Sequence, residues 1–163
     1  MLTASRSSAR GSFMLEAMIA VIIISLGFLG FARLEIGGLA SANSGLLRSN
    51  AVYLSYQMTD RMRSNLPAVA TGAYNALTGT PTDPGCVTTT CTPAQMAQND
   101  YYEWNQEADA LLPSGVAIVC HDSTPDDGTP GSPDCDGLGD AFTVKIFWSE
   151  KGTQTMFASS FRP

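Results

Sequence analysis

The hydrophobic pattern changes character twice along the chain. Residues 13–32 are almost continuously apolar, and residues 17–32 carry no charge. As a helix, the 21 residues 12–32 extend about 32 Å at 1.5 Å per residue, enough to cross a bilayer. One carboxylate, Glu16, stands at the entrance of this run. A charge in a spanning helix costs about 2.5–3.5 kcal/mol at the centre and less near an end, so it is retained where a function gives it a partner. After Ala32 the apolar residues become periodic. Leu47, Ala51, Leu54, Met58 and Met62 fall at spacings of 4, 3, 4 and 4, one face of an amphipathic helix, and Ile36 and Ala40 extend that face backwards. Asn65-Leu66-Pro67 ends it, because proline disfavours the helical conformation in the residue before it. One helix is therefore expected through both segments. Gly27, Gly30, Gly37, Gly38 and Gly45 punctuate it, each at a cost of about 1 kcal/mol relative to alanine. They either permit close helix packing or mark where the helix unwinds.

The remainder has a different rhythm. Residues 67–92 are rich in Thr, Gly, Pro and Asn and read as a long connection. Thr92-Pro93 then forms an N-cap with proline at the first helical position. Ala97, Tyr101, Trp104, Ala108 and Leu111 share one face, predicting a helix over 93–112 that Leu112-Pro113-Ser114-Gly115 breaks. The aromatic stripe of Tyr101 and Trp104 reads as core rather than as a ligand platform. Val116, Ile118 and Cys120 alternate with smaller or polar residues and predict a strand. Val144, Ile146 and Trp148 predict a second, and 156–161 a third, joined to the second by a turn at Glu150-Lys151-Gly152. The expected architecture is α+β: a long amino-terminal helix, spanning a membrane in its first half, packed on a small antiparallel sheet.

Charge narrows the function classes. From residue 66 onward there are 3 basic and 12 acidic residues, a balance of −9 within a chain of net charge −6. Nucleic-acid binding needs clustered Lys and Arg, so nucleic acid is an improbable partner. All four cysteines, Cys86, Cys91, Cys120 and Cys135, lie in this polar part. An even number beyond a membrane anchor suggests disulfides in an oxidising compartment, with three pairings possible. The local pairs Cys86–Cys91 and Cys120–Cys135 are favoured, since each closes a loop with little core of its own; a loop of about 15 residues gains about 3 kcal/mol in the chain-entropy model. Zinc is disfavoured by the lack of a C-x-x-C pair and by a single histidine, His121. Residues 122–140 hold six aspartates, yet an EF-hand count from Asp134 reaches Lys145 where glutamate is required. An exposed acidic loop is the simpler reading. A Cys120–His121 nucleophile would need a free thiol, and an exposed lone histidine fits better. No catalytic set, metal or cofactor is expected.

At the amino terminus, residues 1–11 contain Arg6 and Arg10 and no acid, and end in Gly11. Positive residues before an apolar run stay cytoplasmic, which places the rest of the chain across the membrane. Gly11-Ser12-Phe13-Met14-Leu15-Glu16 resembles the class III signal of type IV prepilins and type II secretion pseudopilins: a short basic leader ending in Gly, then apolar residues with Glu at mature position five. The resemblance implies cleavage by prepilin peptidase between Gly11 and Ser12 and N-methylation of Ser12, which stands where the family usually has Phe. It also implies that Glu16 pairs with the terminal amine of a neighbouring subunit on assembly. The segment Ile24-Ser25-Leu26-Gly27-Phe28-Leu29-Gly30, the helix end Asp60-Arg61-Met62-Arg63-Ser64-Asn65 and the Leu-Pro-Ser-Gly approach to a strand resemble the PilV family of minor pilins, the type IV pilus modification proteins. Without that resemblance, Asp60, Arg61 and Arg63 read as a solvated helix end.

The resemblance divides the chain into a leader (1–11), a transmembrane and assembly half-helix (12–33), an amphipathic half-helix (34–65) and a disulfide-containing head (66–163). It implies a subunit held in the bacterial inner membrane, head in the periplasm, before it joins the pilus fibre at the cell surface. Implied partners are other minor pilins, the major pilin, a pilus-tip adhesin, prepilin peptidase and the inner-membrane assembly platform. The implied role is to help initiate the pilus and form part of its tip, supporting adhesion and twitching motility. A type II secretion pseudopilin, or a tip module for adhesion or DNA uptake, is the alternative.

Overall fold

The structure, a computed structural model, describes residues 9–163, with side chains from residue 13 onward. Most of the expected leader, and the side chains of Gly11 and Ser12, lie outside the described residues. In chain order the elements are helix α1 (Ala9–Ser64), helix α2 (Leu66–Ala70), strand β1 (Ala76–Leu77), helix α3 (Pro93–Leu111) and strands β2 (Val116–His121), β3 (Phe142–Glu150) and β4 (Thr153–Phe161). The chain divides into two compact units, Met1–Asn43 and Ser44–Pro163.

In the second unit, the periodic stripe of α1 is the inner wall of the core. Leu47, Ala51, Leu54, Met58 and Met62 are all buried. They pack in one cluster with Tyr101, Trp104 and Ala108 of α3 and with Val119, Val144, Ile146 and Trp148 of the sheet. Of the two residues that extend the stripe backwards, both in the first unit, Ile36 is 69% exposed and Ala40 is half-buried. Asn65 breaks α1 at φ −125°, ψ 51°, and α2 follows at once with Pro67 in its first turn.

α1 and α3 run antiparallel, joined by a ladder of polar contacts whose partners move in opposite directions along the chain. Asn50 Nδ2 donates to Leu111 O at 3.1 Å, Trp104 Nε1 to Leu54 O at 2.9 Å and Gln57 Nε2 to Glu107 Oε2 at 2.5 Å. Arg61 pairs with Asp100 at 3.3 Å and Glu103 at 2.9 Å, and Asn65 Nδ2 donates to Pro93 O at 2.9 Å. Arg61 is thus bound across the helix pair rather than solvated, a correction to the reading of the helix end. Asp60 and Arg63 do remain at the surface, 3.7 Å apart.

Thr92 caps α3 through a capping box in which its side chain accepts from Gln95 N and Gln95 reaches back to Thr92 N. The turn into β2 requires glycine at 115, where an added Cβ would stand 2.1 Å from Ala108 O.

The sheet is antiparallel, in the order β1-β2-β3-β4. The alternating residues predict three strands; the structure has a fourth, β1, two residues long and paired to Val119 and Cys120. β3 and β4 meet through Lys151 and Gly152, both at positive φ (53° and 79°), the backbone that a two-residue hairpin turn favours. β3 is buried on both faces. Val144, Ile146 and Trp148 face the helices. On the opposite face, Phe147 packs with Ile118, Cys120, Cys135 and Met156, so the segment between β2 and β3 lies over that face.

Candidate assembly site

Two regions carry candidate functional residues, one in each unit. In the first unit, side chains along α1 are outward: Phe13, Met14, Leu15, Met18, Ile22 and Phe28 are all more than half exposed. Ser25 is the polar interruption, and its Oγ donates to Val21 O at 2.7 Å, so the hydroxyl is satisfied without water. Glu16 lies on the exposed surface of this helix. Among the described residues it forms no ion pair. Nothing lies within 4 Å of a Cβ built at Gly27, Gly30, Gly37, Gly38 or Gly45, so packing within the chain does not require these glycines. This helix is long and apolar enough to cross a membrane.

In the second unit, the loop between β2 and β3 is fastened at several points. Cys120 is bonded to Cys135 across a separation of 15 residues, and Cys86 to Cys91 in the earlier connection. Ser123 donates to Asp136 through its hydroxyl and, at 3.1 Å, its N–H, and Gly137 N donates to His121 O at 3.0 Å. The centre of the fastening is Lys145, which alternation along β3 turns away from the helices and which is nevertheless 0% exposed. Its Nζ lies 2.5 Å from Asp122 Oδ2 and 2.7 Å from Asp127 Oδ1. It also donates to the carbonyls of Asp127 at 3.0 Å and Pro133 at 2.8 Å. Burial works against the ammonium charge, but the hydrogen bonds to Asp122 and Asp127 outweigh it and raise the Lys145 pKa above its ordinary value. The Lys145 hydrogen bond in turn holds the Asp127 carboxyl below its ordinary range.

Two carboxylates of the aspartate-rich loop therefore meet an ammonium group. Lys145 stands at the twelfth position from Asp134, where an EF-hand loop requires glutamate. His121 is half-buried rather than exposed: its Nδ1 lies 3.1 Å from Ala141 O and its ring centroid 4.2 Å from that of Phe142. The acidic loop had been visible in sequence; its lysine anchor had not, because a lysine at an outward strand position ordinarily reaches water.

A second buried charge ties the helices to the connection. Asp100 accepts from Tyr74 Oη at 2.5 Å as well as from Arg61. Burial first, then this bond, pushes the Tyr74 phenol up. Tyr101 donates to Gly79 O at 2.8 Å, and burial raises its pKa to about 12. These contacts hold the Thr- and Gly-rich connection against α1 and α3.

A family model described as Tt1218-like, type IV pilin Tt1218, matches residues 34–102. The match supports a type IV pilin. It covers the α1 stripe, the Arg61–Asp100 contact and the first half of α3, so the likeness rests on the helix pair and the connection between them. A pilin is a structural subunit rather than an enzyme, and the α+β arrangement of a long apolar amino-terminal helix and a small antiparallel sheet is pilin-like. No curated protein and no solved structure matches the chain.

Proposed function

We propose that this chain is a minor pilin of the PilV type, a subunit that helps initiate a type IV pilus and takes a place in its tip complex. The observation that carries the reading is the conjunction of the type IV pilin match over residues 34–102 with Glu16 at the entrance of an uncharged, exposed apolar helix. In this reading prepilin peptidase cuts between Gly11 and Ser12, and Ser12 carries the new amine and its methyl group. The Glu16 carboxylate then pairs with the amine of a neighbouring subunit as the helix leaves the lipid. Such a pair adds little net stability but strongly penalises mispairing, which suits a device that sets register. The cysteine pairs belong to a head that matures outside the cytoplasm. Other minor pilins, the major pilin, a tip adhesin and the inner-membrane platform are the partners of this reading; adhesion and twitching are its consequences.

The type II secretion pseudopilin shares the amino-terminal pattern. The helix end at Asp60-Arg61-Met62-Arg63 and the pilin match favour the pilus. Glu16→Ala tests the mechanism. The variant should reach the membrane fraction at normal level and be depleted from sheared filaments, because a buried amine left without its carboxylate costs about 3–5 kcal/mol. Normal abundance in the filaments would refute the pairing. Co-purification of the unaltered protein with a secretion complex in place of pili would select the pseudopilin reading. Mass spectrometry of the mature protein checks cleavage after Gly11 and methylation of Ser12 together.

A further inference from the structure

The two edges of the sheet are treated differently. On the β2 side, β1 covers Val119 and Cys120. Beyond it the buried amide of Asn105 takes over: Nδ2 donates to Ala117 O at 2.9 Å while Oδ1 accepts from Ala117 N at 3.0 Å. That edge is closed. On the other side, β4 pairs with β3 along all nine of its residues, and among the described residues no other group hydrogen-bonds to its backbone. An edge strand ordinarily protects itself with a charge, a proline, a bulge or short length. Residues 153–161, Thr-Gln-Thr-Met-Phe-Ala-Ser-Ser-Phe, have neither charge nor proline, and their pairing with β3 is unbroken.

The surroundings of this edge have a definite chemistry. A groove of about 250 Å³ lies between β4 and the flank of α1, lined by Val52, Ser55, Tyr56, Phe157, Ser159 and Phe161 among others. Its walls mix small hydroxyls with aromatic surface and leave room beside the strand. Arg63 also borders the groove. Of the three basic residues after position 65, Lys145 is buried. The other two, Lys151 and Arg162, are exposed and flank the β4 arm, Lys151 two residues before it and Arg162 directly after it, where its guanidinium lies 3.6 Å from the exposed Asp140. The exposed positive charge of a head of balance −9 is thus gathered at the two ends of one unprotected strand.

We propose that the free edge of β4 is a strand-addition site for an extended segment of a different protein, uncharged along its middle and acidic at its two ends. Main-chain hydrogen bonds to β4 supply affinity, and alternate side chains entering the α1–β4 groove supply selectivity. Lys151 and Arg162 fix register through the terminal acids. The site stands on the sheet edge and does not depend on the pilus reading.

Hydrogen exchange on the full chain in detergent micelles tests it. One probe is a nine-residue peptide of alternating Thr and Val with Glu at each end, matched to the nine residues of β4. A second has Lys at each end, and a third has proline at its centre. At about 1 mM, which half-fills a site of millimolar Kd, the Glu-ended peptide should slow exchange of the outward β4 amides about twofold, and the other two should not. The paired variant Lys151→Asp and Arg162→Asp, at exposed positions outside the strand, should reverse the preference toward the Lys-ended peptide. Absence of β4 protection by the Glu-ended peptide, or equal protection by both charged peptides, would overturn the proposal. So would β4 protection that grows with protein concentration in the absence of peptide, which would assign the edge to a second copy.

Discussion

At the scale of single residues, Lys145 is the natural target for experiment because its charged side chain is fully buried. Lys145→Met keeps the aliphatic stem but leaves Asp122, itself buried, without its counter-charge. Removing one partner of a buried pair costs about 3–5 kcal/mol, so the urea midpoint should fall by that equivalent with little change in slope. Adding Asp122→Leu should recover most of the loss, since an apolar replacement of both partners is often neutral; a double variant no better than the single would refute the pair as the cause. The pH dependence follows from the two shifts. The folded-state pKa of Asp127 lies below its ordinary 3.8, so its contribution is present above 3.8 and is lost as pH falls through the lower folded value. Lys145 is raised above 10.5, so its contribution is full below 10.5 and is lost as pH rises through the higher one. Protection factors of amides in 122–140, with the intrinsic pH dependence of exchange divided out, should therefore fall at both extremes and stay high between them. Alternation in the sequence places Lys145 on the face opposite Val144 and Ile146, which is correct. That this face is covered depends on how residues 122–140 fold back, and no local pattern records it.

Elements differ in how much of themselves they reveal. α1 beyond Ser44 and α3 were legible because each buries a stripe of regular spacing, and because Thr92-Pro93 and Asn65-Leu66-Pro67 punctuate them. β3 and β4 were legible from alternation and from Lys151-Gly152. β1 was not, since two residues carry no period, and its place is decided by Asn75 and Tyr74 being drawn in: His121 N donates to Asn75 O at 3.1 Å. α2 was hidden by the same Pro67 that ends α1, proline being as acceptable in a first turn as it is disruptive in an interior. Of the helix signals, the α3 cap is the one with a measurable local value. Thr92→Ala removes the acceptor for Gln95 N and releases the reciprocal Gln95 contact, and should destabilise the fold by about 1 kcal/mol. Thr92→Ser should cost much less. Equal losses for the two variants, by urea unfolding, would mean that the threonine methyl, and not the hydroxyl, matters at this position.

For the whole molecule, the division at Ser44 separates two jobs that the sequence runs together in one continuous helix. The core cluster begins at Leu47, and both disulfides lie beyond it. Residues 44–163 should therefore fold without residues 1–43, with a cooperative urea transition and ordered near-ultraviolet signals from Trp104 and Trp148, which are both buried. A chain beginning at residue 59 should not. It lacks Leu47, Leu54 and Met58, each contributing about 1.5–3 kcal/mol of burial, a combined loss comparable with the about 5–15 kcal/mol that typically stabilises a domain. It also removes the Leu54 carbonyl that accepts from Trp104 Nε1. If the 44–163 chain lacks a cooperative transition, the apolar segment is part of the folding unit and Glu16 cannot be assigned to assembly alone. If it folds, Glu16→Ala in the full chain changes a residue that the folding of 44–163 does not need, and a defect confined to filament incorporation, with an unchanged urea midpoint, is the expected result.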